Sequence, residues 1–425
     1  MHDTTFVPFT EEMKKNYTIL VPNMLPRHFK LIVSELRTYG YNAELLETTG
    51  PEIAEMGLQY THNDTCYPAI LVIGQFMQAL KSGKYDPHKV ALVMFQTGGG
   101  CRASNYVSLI RKALVKAEME FVPVISFSVL GLEKHPGFNI GLKELHGMLY
   151  CVLYGDLLMS LVNQVRPYEI NKGDAEKLAD KYTEQLAKEV GKGGKINYRK
   201  IKENYRKIIA DFAKIPMQKR KAVKVGVVGE IFVKYSPLGN NNLEEFLVGE
   251  GAEVVVPGLI DFCLYYAYNL LSEYRIYKKG AAKYPFYKYV YNFLRRKKND
   301  ISDAIREEGT FEPWTEFDHI AKLGESIIST AVKMGEGWLL TAEMLELAET
   351  GAKNIVCTQP FGCLPNHIVG KGMMKPIKEI NPEINIVAVD YDAGASRVNQ
   401  ENRLKLMLAN ARRNMEAHET EGAPV

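Results

Sequence analysis

The chain has 425 residues, 53 Lys and Arg against 50 Asp and Glu for a formal net charge of +3, and 46% hydrophobic residues. That length suits two or three domains, and the near-balance of charge gives no electrostatic reason to expect nucleic acid as a partner. The polar opening MHDTTFVPFTEEMKKNY has no apolar core like that of a secretion signal, no uninterrupted apolar run is long enough to span a membrane, and six cysteines are too few for a disulfide scaffold; a cytoplasmic protein with reduced thiols, and no membrane partner, is expected.

In chain order, Tyr17–Met24 (YTILVPNM) reads as a strand ending in Pro-Asn, followed by a helix near Arg27–Tyr39 and a second strand in YNAELLE. Residues 62–83 read as a helix entered through a polar turn, with Asp64 or Thr65 as its cap and Pro68 in its first turn. KVALVMFQTGGGCRASNYVSLIRKALVKA then gives strand, glycine loop and amphipathic helix, and Phe121–Ser128 gives another strand. From Val162 to Lys219 the chain is rich in Lys and Glu at helical spacing, with a break at Gly191–Lys195. Strand, loop, helix and strand resume at Lys224, a helical insertion rich in Tyr, Lys and Arg covers about 265–306, and NIVCTQ and EINIVAVDYDAG close the series before a charged helix. Strands alternating with helices predict an α/β fold with two doubly wound, Rossmann- or flavodoxin-like domains. The expected division is an N-terminal domain over 1–161, a helical bridge over 162–220 and a C-terminal domain over 221–425. No sequence repeat relates the two halves.

The cysteines divide by context. Cys151 (MLYCVLYG) and Cys263 (LIDFCLYYAY) sit among aliphatic and aromatic residues and read as core. Cys101 follows three glycines between a strand and a helix, where the backbone can approach whatever the loop wraps and a thiolate gains from the helix start. Gly99, Gly100 and, near the C-terminus, Gly362 are the glycines placed to make that approach. Gly98–Gly100 fit neither the P-loop nor the dinucleotide fingerprint. Cys66 lies in the first turn of its helix. Cys357 and Cys363, in NIVCTQPFGCLPNHIVG, are separated by Pro and Gly that fix the backbone, and converging thiolates are expected. None of these spacings matches a zinc ribbon. Four thiols on strand-end and helix-start loops suit an iron–sulfur cluster between two domains.

Around these thiols, Glu230 stands just past the strand Val225–Val228, where it suits proton transfer or a loop cap. Asp392 follows NIVAV and suits either the cleft or a turn. His367, four residues beyond Cys363, suits either a cluster contact or the solvent face of the next helix. Arg102 beside Cys101 suits cluster charge or a helix start.

Taken together, FQTGGGCRASNYVSLIRKAL, VGVVGEIFVKYSP, CTQPFGCLPNHIVGKGM and VAVDYDAGASRVNQENRLKLML closely resemble the C-terminal module of large bacterial acyl-CoA dehydratase activase-related proteins. That module is similar to the cluster-carrying subunits of 2-hydroxyacyl-CoA dehydratases and to double-cubane cluster proteins. The resemblance runs from about Tyr17 to Arg413. It implies two α/β domains facing each other, with an oxygen-sensitive iron–sulfur cluster in the cleft that receives single electrons from a separate ATP-hydrolysing activase, in a homodimer. Cys66, Cys101, Cys357 and Cys363 match its cysteine motifs and imply a [4Fe–4S] ligand set. A double cubane, [8Fe–9S], wants about six thiolates and would have to recruit Cys151 and Cys263. Low-potential electron transfer, reduction, or a role as a 2-hydroxyacyl-CoA dehydratase-like component all follow from the resemblance, although no CoA site is legible. A cluster carrier is the alternative, and a zinc-stabilised structural protein comes third.

Overall fold

The computed structural model describes residues 6–96, 100–127, 133–190 and 197–421, with side chains up to residue 416. Two four-stranded parallel sheets organise the chain. β1 (Thr18–Val21), β2 (Ala43–Leu45), β3 (Val90–Phe95) and β4 (Val124–Phe127) lie in the order β2-β1-β3-β4. β5 (Lys224–Gly229), β6 (Glu253–Val255), β7 (Asn354–Pro360) and β8 (Asn385–Tyr391) lie in the order β6-β5-β7-β8. Counted within each half, the two orders are the same, so the chain has two doubly wound α/β units. The central strands carry continuous buried runs, VALV in β3 and VGVVG in β5, because helices cover both faces of a parallel sheet.

One helix pair recurs before the third strand of each sheet. Pro51–Tyr60 packs on Tyr67–Lys81 so closely that a Cβ at Gly57 would lie 2.1 Å from the Ile70 carbonyl oxygen, and one at Gly74 1.9 Å from that of Ile53. In the second half Phe317–Glu325 packs on Gly337–Glu349, with Gly324 against Trp338 and Ala342. Trp338 is fully buried, its Nε1 donating to Asn269 Oδ1 at 2.8 Å.

The first of these pairs departs from the expected cap. Helix Tyr67–Lys81 is capped by Cys66, not by Asp64 or Thr65, with Pro68 in its first turn as expected. The reason is tertiary: the Tyr67 amide donates to the Phe361 carbonyl at 3.0 Å, which sets the helix start at Cys66, after a turn closed by the Thr65 amide on the His62 carbonyl, and ties the two halves together. A single buried apolar cluster likewise runs from Leu20 and Leu92 of the first sheet to Val225 and Val356 of the second.

Between the sheets in sequence come the helices Leu142–Val165, Asp174–Val190 and Tyr198–Ala213; the break expected at Gly191–Lys195 lies outside the described residues. Among the described residues, Leu142–Val165 alone is long and apolar enough to cross a membrane, and 67% of its most apolar window is buried within the protein. The insertion is a pair of packed helices, Leu259–Tyr277 and Tyr284–Glu308. It starts earlier than its tyrosines suggest because buried Asp156, itself 2.8 Å from His28 Nε2, accepts from the Leu259 and Ile260 amides, each at 2.8 Å. A carboxylate there fixes the helix start.

Candidate metal centre

The carboxyl ends of the two sheets meet, and there the structure brings three of the expected thiols together. Cys101 closes the loop after β3 and caps the short 3-10 helix Arg102–Asn105 that leads into Tyr106–Lys116. Cys363 closes the loop after β7 and caps Leu364–Val369. Cys66 caps Tyr67–Lys81, its Sγ 3.2 Å from the Tyr106 hydroxyl. Cys66 and Cys363 are buried and Cys101 is half-buried, and all six cysteines of the chain are free thiols.

Two glycines permit the convergence. Gly362 has φ +72°, and a Cβ on it would lie 3.0 Å from the Cys66 Cα. Gly335, at φ +59°, packs on Pro365, and a Cβ there would be 4.0 Å from Cys101 Sγ. Gly100 lies on the rim, its amide donating to Met334 Sδ at 3.2 Å; Gly99 falls outside the described residues.

Two carboxylates complete the chamber. Glu230 follows β5, and its Oε2 accepts from the Val233 amide at 2.9 Å. Glu336 caps Gly337–Glu349, and its Oε1 accepts from the Ile231 amide at 2.8 Å. Loss of solvent and the neighbouring charge of Glu336 push Glu230 up to about 8, and burial also raises Glu336. Burial pushes the Cys101 thiol up to about 12, with the charges of Glu336, Glu230 and Cys66 adding to the effect. Cys363 is raised by burial, then by Glu336 and Glu230, and Cys66 by burial despite its bond to Tyr106. Left to themselves, the three thiols hold their protons; a metal cation that takes a proton's place turns a thiol into a ligand.

Cys357 is not among them. It sits mid-strand in β7, its Cα paired with Val228 and Ala388, and its side chain is fully buried. Its Sγ lies 3.7 Å from Asn366 Oδ1, and a Cβ on Gly370 would lie 3.1 Å from it. The charges that act on it are Asp390 and Lys371. Side chains alternate along a strand, and this one points behind the helix that carries Cys363. Cys151 is fully buried in the helical core, and Cys263 packs against that core with Asp156 and Asp261 as its neighbouring charges. The charges that act on them are Glu35 for Cys151 and Asp156 and Asp261 for Cys263, not the carboxylates beside the other three thiols.

The remaining candidates have plainer places. His367 is exposed on Leu364–Val369. Asp392 makes a turn, its Oδ1 accepting from the Ala393 amide at 2.7 Å. Arg102 donates to the Asp64 carbonyl at 3.1 Å. Reading the sequence missed Glu336, Tyr106 and Met334. The available signal for Glu336 was MGEGW, an acid between two glycines at a helix start.

Among the described residues, no three His, Cys, Asp or Glu side chains close on a single point as they stand. The chain matches no model of a known protein family and no curated protein.

Proposed function

We propose that this chain is an iron–sulfur protein in which Cys66, Cys101 and Cys363 hold a [4Fe–4S] cluster between the two α/β units. Its work, on this reading, is low-potential one-electron transfer or reduction, with a separate ATP-hydrolysing protein as electron donor. The observation that carries this is the convergence of three free thiols, from three loops in both halves, beside two carboxylates at the carboxyl ends of both sheets. Ligands drawn from several loops onto separate irons stand farther apart than those of a single ion, which suits a cubane better than zinc. The resemblance of the sequence motifs supports the same cofactor and the same kind of donor.

A cluster held there supplies a site that accepts and releases single electrons. The chain's own residues set its surroundings. Tyr106 can donate its hydroxyl proton to Cys66 Sγ, which steadies a thiolate at that position. Buried Cys66 and Cys363 keep water from two sides, while half-buried Cys101 and exposed Met334, Phe361 and Leu364 form the approach. Glu230, its carboxyl raised by burial and by the charge of Glu336, is the group in the chamber suited to carry a proton to a reduced group in the cleft. Six unpaired cysteines suit a reducing cytoplasm, and exposed Tyr277, Phe286 and Tyr289 on the helical insertion suit the interface of a homodimer.

The test is anaerobic purification and reconstitution followed by visible and electron paramagnetic resonance spectra during a redox titration. The expected result is a broad visible absorption that bleaches on one-electron reduction, with a midpoint toward the low end of the range of about −700 to +450 mV known for such clusters. A colourless protein that holds zinc and takes up no iron would overturn the proposal.

A further inference from the structure

The shared plan of the two halves offers four equivalent places at the cleft, and three of them hold a thiol. In the first half, a packed helix pair precedes the third strand; Cys66 caps the second helix of that pair, and Cys101 caps the turn that follows β3. In the second half, the pair Phe317–Glu325 and Gly337–Glu349 precedes β7, and Cys363 caps the helix that follows it. At the place of Cys66, capping Gly337–Glu349, stands Glu336. We propose that Glu336 is the fourth protein ligand of the cluster, its carboxylate taking the corner that the three cysteines leave. This assignment rests on the reading given under Proposed function.

Local geometry favours it. Glu336 is only 6% exposed and lies between two left-handed glycines, Gly335 and Gly337. A Cβ at Gly337 would lie 2.3 Å from the Val332 carbonyl oxygen and 2.4 Å from the Tyr265 hydroxyl, so no other residue fits that turn. The Ile231 amide fixes Oε1, and a carboxylate anchored through one oxygen can bind a metal through the other. Among the charges that act on the thiols of Cys101 and Cys363, that of Glu336 comes first. Lys234, whose charge reaches Glu336, is already paired with Glu343 at 3.3 Å. A buried carboxylate without a cation of its own is costly, and an iron ion beside it removes that cost. Glu230, the other carboxylate, follows the first strand of its sheet, a place that holds no thiol in the first half.

The experiment is anaerobic reconstitution with isotopically enriched ferrous iron and sulfide, read by Mössbauer spectroscopy, on wild type, Glu336→Gln, Glu336→Cys and Glu349→Gln. Wild type is expected to show about one iron in four with the higher isomer shift of oxygen ligation. Glu336→Cys should merge that component with the thiolate-bound irons. Glu336→Gln should lose about one iron in four on mild oxidation and give a three-iron signal, while Glu349→Gln, at the exposed far end of the same helix, should match wild type. Wild-type spectra in both Glu336 variants would overturn the assignment and leave the cluster reading standing. A wild-type protein that takes up no iron and sulfide would overturn both.

Discussion

Cys66 and Glu336 hold the same position in the two halves of the molecule: each caps the helix that leads into the third strand of its sheet, and each turns toward one cleft. The match comes from topology, since the two segments, NDTCYPA and KMGEGWL, share no residue pattern.

The cleft depends on a close approach at Gly362. Its φ of +72° and the 3.0 Å separation between a Cβ there and the Cys66 Cα leave no room for a side chain. Gly362→Ala is expected to cost about 1–3 kcal/mol and to lower the iron retained after reconstitution, because the loop carrying Cys363 has to draw back from Cys66. Denaturant midpoints and iron content on the same preparations check this; unchanged values in both would show that the approach is not needed.

Lys234 and Glu343 form a buried pair behind the site, with distances of 3.3 and 3.4 Å. Removing Lys234 leaves Glu343 either charged without a partner or forced to hold a proton, so Lys234→Met should destabilise by about 3–5 kcal/mol. The double variant Lys234→Met/Glu343→Leu should recover most of that loss. A double-mutant cycle in urea measures the coupling, and additive losses would count against the pair as a unit.

Glu343 also predicts a pH dependence. Burial, outweighing Lys234, pushes its carboxyl up to about 7 from the ordinary value of 4.5, and Asp261 adds to the shift. Between those values the folded protein binds a proton that the unfolded chain has released. Stability therefore falls as pH rises through that window, with a limiting slope of about 1.4 kcal/mol per pH unit, and levels off above it. Relative to Glu343→Gln, wild type should lose stability from pH 5 to pH 7. Parallel stability profiles for the two proteins would contradict the shift.

Much of this was legible in the sequence. The apolar runs at Tyr17–Met24 and Lys224–Gly229 mark strands because both faces of a parallel sheet are covered, the run at Asn385–Tyr391 marks the half-buried edge strand, and the alternation with helices marks the doubly wound fold. The glycine and proline loops located Cys101 and Cys363. Cys357 misled because a loop reading of CTQPFGC ignores that β7 continues to Pro360, which turns the first thiol into the core. Glu336 went unseen because its place at the cleft depends on which helix precedes which strand, and that order is tertiary, not local. The cap at Cys66 depends on a hydrogen bond from Tyr67 to Phe361, nearly three hundred residues away in sequence, and no local rule gives it.

The most direct test of the site is iron and sulfide per chain after anaerobic reconstitution of wild type, Cys363→Ala and Cys357→Ala. The account expects about four irons and four sulfides in wild type, loss of most of both in Cys363→Ala, and near-wild-type content in Cys357→Ala. Equal loss in the two variants, or no iron in wild type, would contradict it.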